Sequence, residues 1–155
     1  MNIVEKLVLL QQKPLLYRIA HMFLNILGLE IPKEVKFPDG LGGVHFNHKA
    51  FGTVFHPKTE LGMRVRIFQG VTIGKSRPWD NNQKEGGCLV KDDAILCAGA
   101  VILFGEEKVI VGEGTIIGAN SVLTQSTGDW EIWAGIPARK VGKRDTSSLM
   151  SLMDC

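Results

Sequence analysis

The spacing of apolar residues changes once along the chain, near residue 30. Before that point, Leu15, Ile19, Met22, Phe23 and Ile26 fall three and four residues apart, which lines them along one face of a helix. Pro14 suits the first turn of that helix and Gly28 its end. Residues 1–30 are therefore predicted as a helical segment. Its apolar stripe needs a cover, either a neighbouring body or subunit or a membrane surface. Lys13, Arg18 and His21 would supply the polar side in the second case, and the spacing alone leaves both open.

From residue 31 a period of six replaces the helical one. Blocks open with Phe55, Leu61, Ile67 and Ile73, then with Val90, Leu96 and Ile102, then with Val111, Ile117 and Leu123. A small or β-branched residue usually follows four positions later. Self-similarity at a short fixed period marks a solenoid, and six residues indicate a β-helix. Three six-residue faces close one triangular coil. The opening aliphatic points inward onto the coil above, and the fifth position sits near a corner that admits only Ala, Val, Thr or Ser. A β-sandwich would instead alternate with period two and carry turn signals every 8–12 residues or so. The expected fold class is an all-β solenoid, a parallel β-helix over residues 31–143, after the short α-helical segment and before a tail at 144–155.

Two stretches break the period. Residues 75–89 contain Arg77, Pro78, Trp79, Asp80, Asn81, Asn82, Gly86 and Gly87 and read as a polar loop thrown out from one edge, and residues 105–110 read as a shorter insertion. Insertions in solenoids gather on the binding face, and long loops on rigid scaffolds often carry function.

Composition narrows the function without naming it. The 155 residues are 45% hydrophobic and 22% charged with a net charge of +2, a globular balance. So small a charge, with no basic run interleaved with aromatics, argues against a nucleic-acid partner. Cys88, Cys97 and Cys155 have no metal-site spacing and are odd in number, which fits a reducing compartment. Glu5 and Lys6 interrupt the first apolar stretch, unlike a signal peptide, so a soluble, cytoplasmic protein is expected.

The run His48-Lys-Ala-Phe-Gly52-Thr-Val-Phe-His-Pro, followed by Ile67-Phe-Gln-Gly-Val-Thr-Ile-Gly74, resembles the catalytic stretch of the serine acetyltransferases and their shorter relatives. Leu29-Glu-Ile-Pro32 resembles their entry into the first coil, and Ala134-Gly-Ile-Pro-Ala-Arg-Lys-Val-Gly142 their closing motif. The similarity covers residues 14–143. It implies a left-handed β-helix, a homotrimer with active sites between solenoids, and acetyl-CoA as co-substrate without a metal. It also implies that His48 is the base that takes the acceptor's proton, a task suited to imidazole, which titrates near neutrality. A backbone N–H in Gly70–Gly74 would hold the oxyanion. Gly74, Lys75, Ala98, Gly99, Ala119 and Ala134 would line the coenzyme A groove, with Arg139 and Lys143 on its phosphates.

His45, His48 and His56 are close in sequence, but a β-helix zinc site would need a further imidazole downstream, and none follows. The stretch departs from the family in two places. Asn47 stands where the family has an acid beside the catalytic histidine. Lys84-Glu-Gly-Gly-Cys88 stands where it has an Asp-Arg-His-Pro segment for the amino acid. Serine binding needs partners for an ammonium and a carboxylate, so these departures direct the expectation to a sugar hydroxyl of a surface polysaccharide. Asn47, Trp79 and Asp80 would bind that acceptor, the indole stacking on a ring. Serine O-acetylation is the alternative, and a β-helix scaffold without activity is the third reading.

Overall fold

A computed structural model describes residues 1–80, 84 and 86–145. Asn81, Asn82, Glu85 and Cys155 of the sequence reading lie outside these residues. Two helices come first, α1 (Ile3–Gln11) and α2 (Tyr17–Ile26). Asn2 caps α1: its Oδ1 accepts the Glu5 N–H at 3.0 Å, and Glu5 Oε2 accepts the Asn2 N–H at 2.8 Å. This reciprocal pair satisfies two donors that a helix start otherwise leaves open. Helix α1 buries Val4, Leu7 and Val8, whereas α2 buries only Ala20 and Leu24. Pro14 sits in the turn leading into α2, where Lys13 O accepts from both Leu16 and Tyr17.

The strands follow in the order β1 (His45–Phe46), β2 (Val54–Phe55), β3 (Thr59–Leu61), β4 (Arg66–Ile67), β5 (Thr72–Lys75), β6 (Gly87–Val90) and β7 (Ile95–Leu96). Next come β8 (Val101–Phe104), β9 (Lys108–Val111), β10 (Ile116–Ile117), β11 (Val122–Leu123), β12 (Glu131–Gly135) and β13 (Ala138–Lys143). They form three sheets: β1-β4-β7-β10-β12-β13, β2-β5-β8-β11 and β3-β6-β9. The chain visits the sheets in turn, so each strand pairs with the strand one circuit away. Every pairing is parallel except the closing β12–β13 hairpin.

The register explains the period of six. Phe46, Ile67, Leu96, Ile117 and Trp133 stack in one column, Phe55, Ile73, Ile102 and Leu123 in a second, and Leu61, Val90 and Val111 in a third. Each block-opening residue read from the sequence is buried, the most accessible being Leu61 at 6%. The fifth positions Thr59, Val65, Val71, Ala94, Ala100, Thr115 and Ser121 are buried too. Each large inward side chain contributes about 1.5–3 kcal/mol by leaving water.

The first circuit starts at the Leu29–Pro32 entry: Glu30 bridges Val54 and Lys36 bridges Glu60, with Ile31, Val35 and Leu41 buried inside it. Two boundaries differ from the sequence expectation. The long loop is shorter than 75–89, because Lys75 pairs with Phe104 and Cys88 with Thr59, so both ends of that stretch belong to the sheets. The second insertion shrinks to 105–107, since Lys108 starts β9. Arg144, assigned by sequence to the tail, is docked. Its guanidinium donates to Asp93 O at 3.0 Å and Gly114 O at 2.9 Å, and lies 5.7 Å from the Trp130 ring centre.

Candidate active site

The corner between the first and second sheets is built from left-handed residues, one per circuit: Gly52, Gly70, Gly99 and Asn120. Each N–H donates to the preceding circuit, Gly52 to Gly28 O, Gly70 to Phe51 O, Gly99 to Gln69 O and Asn120 to Ala98 O, at 2.8–3.0 Å. The turns stack so closely that a Cβ on Gly99 would come within 2.2 Å of Asn120 Oδ1. The left-handed φ of 69° at Gly99 also favours glycine there.

His48 belongs to the first, enlarged turn of this corner. His48, Lys49 and Ala50 take φ of 51°, 58° and 45° in succession, a left-handed run that costs roughly 1–2 kcal/mol per non-glycine residue. Such strain persists only where the surroundings enforce it. Two anchors do so. Ala50 is fully buried, and α1 grips Phe46 from the other side. Asn2 Nδ2 donates to Phe46 O at 2.8 Å, and the buried Glu5 carboxylate accepts the Phe46 N–H at 3.3 Å. The His48 side chain is left exposed, its ring 5.9 Å from that of Phe68. Asn47 is half-buried beside it, with its Nδ2 buried and unpartnered.

Several residues expected in the cofactor groove share this corner. Ala98 and Gly99, then Ala119, then Ala134 occupy it on successive circuits, and Arg139 is paired opposite Ala134 on the closing hairpin. Others do not. Lys143 pairs with Glu131 at the far end of that hairpin. Gly74 and Lys75 lie at the opposite end of the second sheet's strands, and Trp79 and Asp80 follow them there. Trp79 is 76% exposed beside an open cavity of about 560 Å³ lined also by Ser76, Arg77, Leu103, Gly105, Glu106 and Thr124. A single chain therefore does not gather the expected groove or acceptor site around His48.

The oxyanion expectation narrows as well: Gly70 N–H is spent on Phe51 O and Thr72 N–H on Ala100 O. His45 lies 3.7 Å from Glu5, and His56 packs edge-on against Phe104 while its Nδ1 accepts the Lys58 N–H at 3.1 Å. Among the described residues no group of three or more His, Cys, Asp or Glu could hold a metal ion. Burial pushes the Cys97 thiol up and the Cys88 thiol to about 12. Both therefore stay protonated at neutral pH, which disfavours an acyl-cysteine route. Sequence reasoning passed over Asn2 and Glu5, although Asn2-x-x-Glu5 before an apolar run is a capping-box signal. It also passed over Phe68, which carries no signal until the circuits are stacked.

Comparison with known proteins places this geometry. No protein-family model matches the chain. Serine acetyltransferase of Bacillus subtilis strain 168 is 36% identical over 104 residues, which cover 65% of this chain and 44% of that protein. The crystal structure of Neisseria gonorrhoeae serine acetyltransferase in complex with serine aligns with a TM-score of 0.65 at 27% identity, over 88% of this chain and 52% of that one. That of serine acetyltransferase in complex with coenzyme A from Brucella abortus strain S19 gives a TM-score of 0.71 at 24% identity, over 92% and 54%, a likeness of fold alone. The chain spans about half the length of the curated relatives it matches. In sequence and in fold the chain is thus similar to the serine acetyltransferases, which supports a serine acetyltransferase-like acyltransferase family.

Proposed function

We propose that the chain is an acetyl-CoA-dependent O-acetyltransferase with His48 as its general base. The observation that carries this reading is the strained turn that holds an exposed imidazole at the head of the small-residue corner of Ala98, Gly99, Ala119 and Ala134. His48 takes the acceptor's hydroxyl proton as the oxygen attacks the thioester carbonyl, and returns it to the departing sulfur. The small side chains let the pantetheine arm lie against the backbone, and Arg139 meets a phosphate.

The solenoid is read as left-handed and the assembly as a homotrimer. Support for the trimer comes from the separation within one protomer: Gly74, Lys75, Trp79 and Asp80 sit across the second sheet from His48. In a trimer the loop end of one protomer faces the histidine corner of the next, which reunites the two halves.

For the acceptor, the relatives' names support L-serine over the sugar of a surface polysaccharide, and serine is the reading adopted. Asn47 Nδ2, buried without a partner, suits an acceptor oxygen such as the serine carboxylate. A saccharide hydroxyl is kept as the second reading because Trp79 presents an open indole face. An acceptor screen with acetyl-CoA, read by release of free thiol, decides between them. Turnover of L-serine at low millimolar concentration with sugars inert is the expected result. Turnover of sugars alone would transfer the assignment, and no transfer to any hydroxyl acceptor would leave a scaffold.

A further inference from the structure

The outward faces of α1 and α2 form an apolar surface that the described chain leaves uncovered. Among the described residues, fourteen large apolar side chains stand exposed, and nine of them fall within residues 1–26. On α2, Ile19, Met22, Phe23 and Ile26 are 46–69% exposed, and Leu15 just before it is 91% exposed. These residues share a face at helical spacing, while Ala20 and Leu24 turn inward to the rest of the chain. Around α1, Met1, Lys6, Leu9, Leu10 and Lys13 line an apolar groove of about 560 Å³ with the lysines among its walls.

The exposed charges carried by the two helices and the turn between them have one sign. Lys6, Lys13 and Arg18 are exposed cations, and the single acid before residue 30, Glu5, is 5% exposed and bonded to Asn2 and Phe46. An apolar face rimmed by cations matches the boundary between lipid headgroups and acyl chains. Self-pairing of the two helices about a two-fold axis would set these cations close to one another with no exposed acid on either helix to pair them. Neither helix is long and apolar enough to cross a bilayer, so the geometry is that of a hairpin lying on the surface.

We propose that the outer face of the α1–α2 hairpin docks on an anionic lipid bilayer, with Ile19, Met22, Phe23 and Ile26 immersed and Lys6, Lys13 and Arg18 against lipid phosphates. The proposal is independent of the acceptor's identity. The test is co-sedimentation of the full chain with phosphatidylcholine vesicles, with and without phosphatidylglycerol. Binding is expected to the anionic vesicles only, and to weaken at about 0.5 M salt as surface charge is screened. Ile19→Glu with Phe23→Glu should abolish it, and Lys13→Ala with Arg18→Ala should weaken it about fivefold per cation removed. Both pairs are exposed, so unchanged circular dichroism and melting are expected to accompany the loss. Failure to sediment with anionic vesicles, or equal binding to neutral ones, overturns the proposal. So does a drop in assembly mass by light scattering for Phe23→Glu without vesicle binding, which would assign the face to a second copy of the chain.

Discussion

The carboxylate of Glu5 accepts the backbone N–H of Phe46 at 3.3 Å, which ties the start of α1 to the residue two places before His48. Asn2 holds the carbonyl of the same residue, so both polar groups of the Phe46 backbone are fixed by one helix cap. Glu5→Ala would leave a buried donor without an acceptor, at a cost of about 1–3 kcal/mol. Glu5→Gln is gentler, because one amide oxygen still accepts while the NH₂ faces another donor. Glu5→Gln is expected to lower kcat several-fold, with the KM for acetyl-CoA little changed, because the groove corner lies on other circuits. Steady-state kinetics beside a thermal melt check this. Equal kcat in variant and parent would confine the cap to stability.

His48→Ala removes the proposed proton acceptor and leaves the turn's anchors in place. Turnover is expected to fall about 10²–10⁴-fold, while coenzyme A binding by calorimetry is retained. Activity above about half of the parent's would show that another group takes the proton.

The sequence revealed the solenoid wherever its period ran unbroken. Phe55, Ile67, Leu96 and Ile117 opened blocks by spacing, and all are buried. It marked where the first circuit starts but not its register, because Ile31 and Phe37 keep the spacing while the turns at Asp39–Gly43 and Asn47–Ala50 lengthen two corners. It showed that α2 has an apolar stripe, but which helix face meets the body follows from Ala20 and Leu24, which are smaller or fewer than the stripe. Around the site, the resemblance named the residues. Their division between the corner and the far end of the second sheet became visible only once Gly74 was paired with Leu103 and Arg139 with Ala134. The grip on Phe46 joins residues 44 positions apart in one bond and 41 in the other, a relation that no local pattern encodes.

Arg139 and Lys143 have different places on the closing hairpin, so their effects should separate. Arg139 lies opposite Ala134 at the corner, while Lys143 is opposite Glu131 at the hairpin's other end. Arg139→Ala is expected to weaken coenzyme A binding about tenfold, the scale of one charge-assisted contact, and Lys143→Ala to leave it nearly unchanged. If Arg139 meets the 3′-phosphate, dephospho-coenzyme A will not feel its loss. Equal losses for the two variants would contradict this geometry.

Glu131 makes the closing hairpin sensitive to acid. Lys140 and the Trp133 indole N–H bond its carboxylate, as does the Gly128 N–H, and together they hold its pKa at about 2, below the ordinary 4.5. The folded state therefore resists protonation more than the unfolded chain does. The stability from this carboxylate is complete above pH 4.5 and declines as the pH falls toward 2. Asp129 is also held low, chiefly by the Glu113 N–H and then by Lys91, so acid loosens the neighbouring turn as well. What distinguishes Glu131 is its bond at 2.8 Å to Trp133, which stacks on Ile117 in the inner column. Protonation weakens that acceptor, and Trp133 emission should shift in this interval before the circular dichroism of the inner circuits changes. Trp133→Phe should remove the shift, and Glu131→Gln should flatten its pH dependence, because a neutral amide does not titrate. An emission change in Glu131→Gln with the parent's pH profile would place the acid response elsewhere.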